Sequence, residues 1–232
     1  DDGVHTWTVA AYDRVGNLSA YANPWTFNLD GTPPGPPQLV SPRHGALISD
    51  TTPTLTWGSS PAPDVAGYLL SWDGGLLDLG NVTQYTPTAQ ADGVHTWTLA
   101  AYDGVRNIGV FTDVWSLMLD GTPPDILATV PVSGAAEGPL PEPVVITFTE
   151  PIEPSSFAFN VTPDPGAWTA QWDGTGSVVT LNHADFELGT TYAVTIASAV
   201  DGVGLPLARA PYRWTFTTKD IRIFLPTVVR KP

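Results

Sequence analysis

The chain has no cysteine and a single methionine. Without cysteine there are no disulfides, no thiolate nucleophiles and no cysteine-ligated zinc. Charge is also sparse, at 14% of residues, and bases are scarcer than acids: nine Lys and Arg stand against 23 Asp and Glu, for a net charge of −14. Polyanions need a basic footprint, so this balance argues against a nucleic-acid partner. No apolar run approaches the ~18 residues of a membrane-spanning helix. Lysine occurs only as Lys219 and Lys231, which excludes internal Lys–Asn isopeptide bonds from the body of the chain. G-x-S-x-G, H-E-x-x-H and a phosphate-binding glycine loop are all missing, so the sequence carries no catalytic signature.

What the chain does have is 24 prolines, 22 glycines, nine tryptophans and a hydrophobic fraction of 42%. That is a loop-rich composition with ample material for packed cores, and it is not the composition of disorder. It also has a repeat. Residues 2–34 and 92–124 are identical at 20 of 33 positions, both opening DGVHTWT and closing LDGTPP. The offset of 90 residues is the length of a small domain and too long for a solenoid unit.

The repeated stretch predicts two strands. Residues 3–13 alternate, with His5, Trp7, Val9 and Ala11 on one face, and Trp25, Phe27 and Leu29 line one face of the returning strand. Residues 32–37, TPPGPP, form a stiff polyproline-type linker. Residues 38–121 make one complete unit. Short strands are expected near 38–41, 46–49, 52–58, 65–72, 76–79, 83–86, 94–102 and 111–119, with turn signals between them. That pattern predicts a Greek-key β-sandwich with almost no helix.

TPTLTW (52–57), DVAGYLLSWDG (64–74) and ADGVHTWTLAAYDGVRN (91–107) resemble the bacterial immunoglobulin-like and fibronectin type III-like domains of surface proteins. The resemblance covers 1–121, with 1–31 as the last two strands of an incomplete domain. Residues 122–218 are expected to form a second sandwich, and 125–218 resemble a second bacterial Ig-like type, found in S-layer proteins, through PVVITFTEPIEPSSF (143–157), FELGTTYAVTI (186–196) and YRWTFTT (212–218). Leu188-Gly189 followed by Tyr192 is similar to a tyrosine corner, a structural device. The fold class expected is therefore all-β, tandem Ig-like Greek-key sandwiches. Residues 219–232 follow as a basic, strand-like tail with Ile221, Ile223 and Leu225 alternating.

Asp-Gly occurs eight times. Calcium is one reading, with the Asp13/Asn17 and Asp103/Asn107 loops as the first places to look. Turn chemistry is the other and the expected one, since Asp-Gly is the preferred hairpin dipeptide. His5 and His95 occupy equivalent positions, each alone where a metal needs two or three ligands; a core-edge histidine bonded to a neighbouring loop is expected. Trp72, Trp168 and Trp172 are the tryptophans open to a sugar-stacking role. No catalytic, cofactor or metal residue is assigned.

Two strands alone are marginal in water, so the face bearing Trp7, Val9 and Trp25 needs a cover. A neighbouring copy's tail, through Ile221, Ile223 and Leu225, is one candidate; chain upstream and the following domain are the others. The expectation is a non-enzymatic extracellular or cell-surface protein, a stalk or self-assembling filament subunit that associates through hairpin and tail. The alternative is a set of accessory modules of a secreted hydrolase that bind polysaccharide.

Overall fold

A computed structural model describes residues 1–136 and 143–220. The chain divides into two compact units, Asp1–Leu119 and Asp120–Pro232.

The first unit opens with a hairpin, β1 (Gly3–Trp7) and β2 (Trp25–Leu29), paired antiparallel with Trp7 opposite Trp25. Eight further strands follow: β3 (Gln38–Ser41), β4 (Ala46–Ile48), β5 (Leu55–Gly58), β6 (Val65–Trp72), β7 (Gly75–Asp78), β8 (Gln84–Tyr85), β9 (Gly93–Asp103) and β10 (Trp115–Leu119). They form a five-stranded sheet in the order β4-β10-β9-β6-β7 and a three-stranded sheet in the order β3-β5-β8. Alternation puts Leu55 and Trp57 of β5, Leu70 of β6, Trp97 and Leu99 of β9, and Leu117 and Leu119 of β10 into one core. Every pairing in this sandwich is antiparallel except one: β4 runs parallel to β10.

The second unit holds β11 (Ile126–Val130), β12 (Val144–Phe148), β13 (Ala158–Thr162), β14 (Thr169–Trp172), β15 (Val178–Asn182), β16 (Thr191–Ser198) and β17 (Tyr212–Thr217). Its sheets are ordered β11-β12-β15-β14 and β13-β16-β17. The core between them includes Ile146, Phe148, Leu181, Tyr192, Trp214 and Phe216. The one helical element among the described residues is a 3-10 turn of three residues, Pro154–Ser156. The chain is all-β, as its periodicity predicts. Proline sets several strand ends: β3, β11 and β13 each stop at the residue before Pro42, Pro131 and Pro163, because proline brings no amide to a ladder.

Two expected strands are shorter than their alternation suggested. The first ends at Trp7 instead of running to residue 13, although its duplicate β9 continues to Asp103. From Trp97 to Asp103, β9 is paired with β6; the hairpin sheet contains no third strand. The last strand of the repeat begins at Trp115 rather than at 111, since the Thr112 hydroxyl accepts the Leu99 amide and donates to the Asp113 carbonyl.

Candidate functional site

Asp73-Gly74 and Asp103-Gly104 do turn work. Asp73 and Gly74 both have positive φ, 48° and 81°, and connect β6 to β7 with Trp72 opposite Gly75. This is the two-residue hairpin turn that Asp-Gly favours. Asp103 Oδ1 accepts the Val105 and Asn107 amides, each at 2.9 Å, and Oδ2 accepts the Asn107 side-chain amide at 2.8 Å. Burial raises the carboxyl's pKa, but these bonds outweigh it and hold Asp103 below its ordinary value. Asp13 repeats the arrangement with Val15 and Asn17, and the Asn17 bonds hold it low as well. In both loops the carboxylate is already engaged by its own turn.

His95 is bonded at both ring nitrogens, Nδ1 to Asp73 at 2.7 Å and Nε2 to the Ala91 carbonyl at 2.9 Å, and it stacks on Trp72. His5 bonds the Asp1 carbonyl through Nε2 at 2.8 Å and stacks on Phe27. Each bonds a nearby loop, the arrangement expected of a core-edge histidine. The tryptophans considered for sugar stacking are engaged too. Trp172 stacks on Phe148 and meets Phe157 edge-on. Trp168 packs on Phe159, and its indole N–H donates to Asp164. Trp72 donates to Gln90. Tyr192 accepts the Glu187 amide at 2.8 Å from within the core, which is the tyrosine-corner geometry.

The hairpin differs from its duplicate. Trp7 and Trp25 are 53% and 67% exposed, and Val9, Phe27 and Leu29 are exposed with them. The corresponding Trp97 is buried and meets Trp115 edge-on. The sandwich of residues 38–119 lies in the same compact unit as the hairpin, and these side chains face solvent. Ile221, Ile223 and Leu225 lie outside the described residues.

Two groups of acids were not legible as sites in the sequence. Asp30, Asp64 and Asp103 each place a carboxylate oxygen within 4.8 Å of the others, and so do Asp120, Glu150 and Asp201. Asp30 and Asp120 both belong to the repeated DGTPP connection, directly after β2 and β10. Asp64 and Glu150 sit in the loops after β5 and β12, and Asp103 and Asp201 open turns of the same form. The signal that could have found them is the shared D-G-V of those turns together with the repeated D-G-T-P-P. An open depression of about 330 Å³, lined by Pro36, Pro37, Thr112, Asp113 and Trp115 among others, carries one acid and no histidine, so it offers no acid–base pair.

Two-sheet sandwiches with this strand order have the fold of Ig-like and fibronectin III-like modules. Residues 120–218 match the model of a bacterial Ig-like domain family. No curated protein matches the chain. Among solved structures, it is similar to fibronectin(III)-like modules of CbhA from Clostridium thermocellum at 11% identity, covering 84% of this chain and 100% of that one, with a TM-score of 0.38. It is similar to the titin I-band fragment I67–I69 at 12% identity, covering 81% and 65%, with a TM-score of 0.45. CopC from Methylosinus trichosporium OB3b matches at 15% identity over 44% of this chain and 99% of its own, with a TM-score of 0.37. At such low identity and TM-score these likenesses say nothing of function. No helix among the described residues is long and apolar enough to cross a membrane.

Proposed function

We propose that the chain is a non-catalytic, load-bearing segment of an extracellular bacterial surface protein, a stalk or filament subunit. The observation that carries this reading is the way each unit ties its last strand to an early segment. In the first, β4 and β10 run parallel, with Leu117 beside Ala46 and Leu119 beside Ile48, and the Gly45 amide donates to the Ser116 carbonyl at 2.7 Å. In the second, the Gly134 amide donates to the Thr215 carbonyl at 2.7 Å, and the Thr217 amide donates back to Ala135. Tension along the chain pulls two parallel neighbours in opposite directions. Their bonds are then loaded together in shear instead of opening one by one as in a hairpin.

Single-molecule pulling on the full chain tests this. Leu47→Pro removes an amide from β4 where the side chain is exposed. The variant is expected to yield at lower force than the wild type; equal yield forces overturn the reading.

The exposed hairpin supports a second element of this reading, self-association. The face bearing Trp7, Val9 and Trp25 pairs with the tail of another copy through Ile221, Ile223 and Leu225, by strand addition. Electron microscopy is expected to show assemblies of the full chain and monomers once residues 219–232 are deleted. Fibres that persist after the deletion exclude the tail as donor.

A further inference from the structure

The two carboxylate groups are built alike but differ at one atom. Asp103 and Asp201 each use Oδ1 to accept two amides of their own turn, Val105 and Asn107 in one and Val203 and Leu205 in the other, all at 2.8–2.9 Å. At Asp103 the second oxygen is satisfied by the Asn107 side-chain amide, which also donates to the Asp30 carbonyl at 3.0 Å. At the second turn, Leu205 stands where Asn107 stands in the first and brings no side-chain donor. Asp201 is 3% exposed, and its Oδ2 is sealed from water with no hydrogen-bond partner.

A buried carboxylate oxygen without a partner carries a large desolvation penalty. Asp120 and Glu150 each bring a carboxylate oxygen within 4.8 Å of an oxygen of Asp201, which adds like charge. A cation removes both costs at once. The donors on offer are carboxylate oxygens, with no nitrogen or sulfur, which selects a hard ion over zinc or copper. Calcium holds oxygens at about 2.4 Å, so two oxygens on one calcium are never more than about 4.8 Å apart; all three carboxylates meet that bound.

We propose that Asp120, Glu150 and Asp201 bind a calcium ion. The ion ties the first residue of the second unit to the loop after β12 and to the turn after β16. The connection that Asp120 opens is already pinned further on, where the Pro124 carbonyl accepts the Ala208 amide at 2.8 Å. The first group, whose buried oxygen Asn107 already satisfies, carries no such proposal. This departs from the sequence expectation that the Asp-Gly aspartates serve turns alone, and it holds whether or not the chain assembles.

The test is calorimetric titration of the chelator-stripped full chain with calcium chloride, with thermal melting alongside. One site is expected, and a melting temperature raised by about 5 °C or more at ten times the dissociation constant. Glu150→Gln should lose the binding heat and the shift, whereas Asp64→Asn should keep both. Leu205→Asn supplies the amide that the first turn has. It should raise the melting temperature of the metal-free protein and weaken calcium at least tenfold. No binding up to about 10 mM calcium, beyond the range of extracellular calcium modules, overturns the proposal. So does loss of binding in Asp64→Asn but not in Glu150→Gln, or an equal effect of magnesium at the same concentration.

Discussion

The Tyr102 hydroxyl donates a 2.7 Å hydrogen bond to Asp78 Oδ1, joining the end of β9 to the end of β7. Arg106 donates to the other oxygen at 2.8 Å, and its guanidinium lies over the Tyr102 ring. Arg106 first, then Tyr102 and the Gly80 amide, hold the Asp78 carboxyl at about 2. Because the folded value is depressed, the contribution to stability is present above the unfolded value of about 3.9 and is lost as pH falls through about 2. Acid titration of the first unit's melting temperature should fall more steeply for the wild type than for Asp78→Asn between pH 4 and 2; parallel curves would remove Asp78 from the account.

Gly67 exists because of the same tyrosine. A Cβ at Gly67 would overlap the Tyr102 ring and hydroxyl. Gly67→Ala must push the ring out of its place, which costs about 1–3 kcal/mol as overpacking does. Denaturant melts should show this loss in the first unit, and an unchanged midpoint counts against it.

His95 gives the opposite pH dependence. Burial opposes its charge, but the Asp73 and Ala91 bonds and the Asp73 charge prevail, and its pKa is raised. A raised folded pKa gives stability that is full below about 6.5 and is lost as pH rises through the folded value. Asp73→Asn keeps the hairpin turn, since Asn-Gly suits it equally, while removing the charge. The wild type should lose melting temperature as pH rises above about 6.5, and the variant should not. The same slope in both would mean the pair is not responsible.

Trp7 and Trp97 sit at one position of the repeat with opposite burial, 53% and 1% exposed. Trp97→Ala should cost about 3–5 kcal/mol through the cavity it leaves. Trp7→Ala should leave the monomer's denaturation midpoint nearly unchanged and act, if assembly occurs through this face, on assembly alone. A large loss of monomer stability in Trp7→Ala would show that the hairpin face is covered within the chain.

Much of the fold was legible because it is local. Period-two alternation marked β5, β6 and β9, Asp73-Gly74 marked its hairpin, and Tyr192 announced its corner. These depend on side-chain direction along a strand and on backbone preference at a turn, which are properties of a few adjacent residues. The length of the first strand was not legible, since alternation is the same in β1 and β9 and only a paired neighbour extends β9.

What the sequence determined by itself is the all-β character and the turn roles of Asp73-Gly74 and Asp103-Gly104. Tertiary structure alone decided the rest. It set β4 parallel to β10, left Trp7 in solvent where Trp97 is buried, and gathered Asp120, Glu150 and Asp201 from three loops. Residues so far apart along the chain meet only when the sheets pack. The unpaired Oδ2 of Asp201 exists only in that packed state, because in an extended chain water would satisfy it.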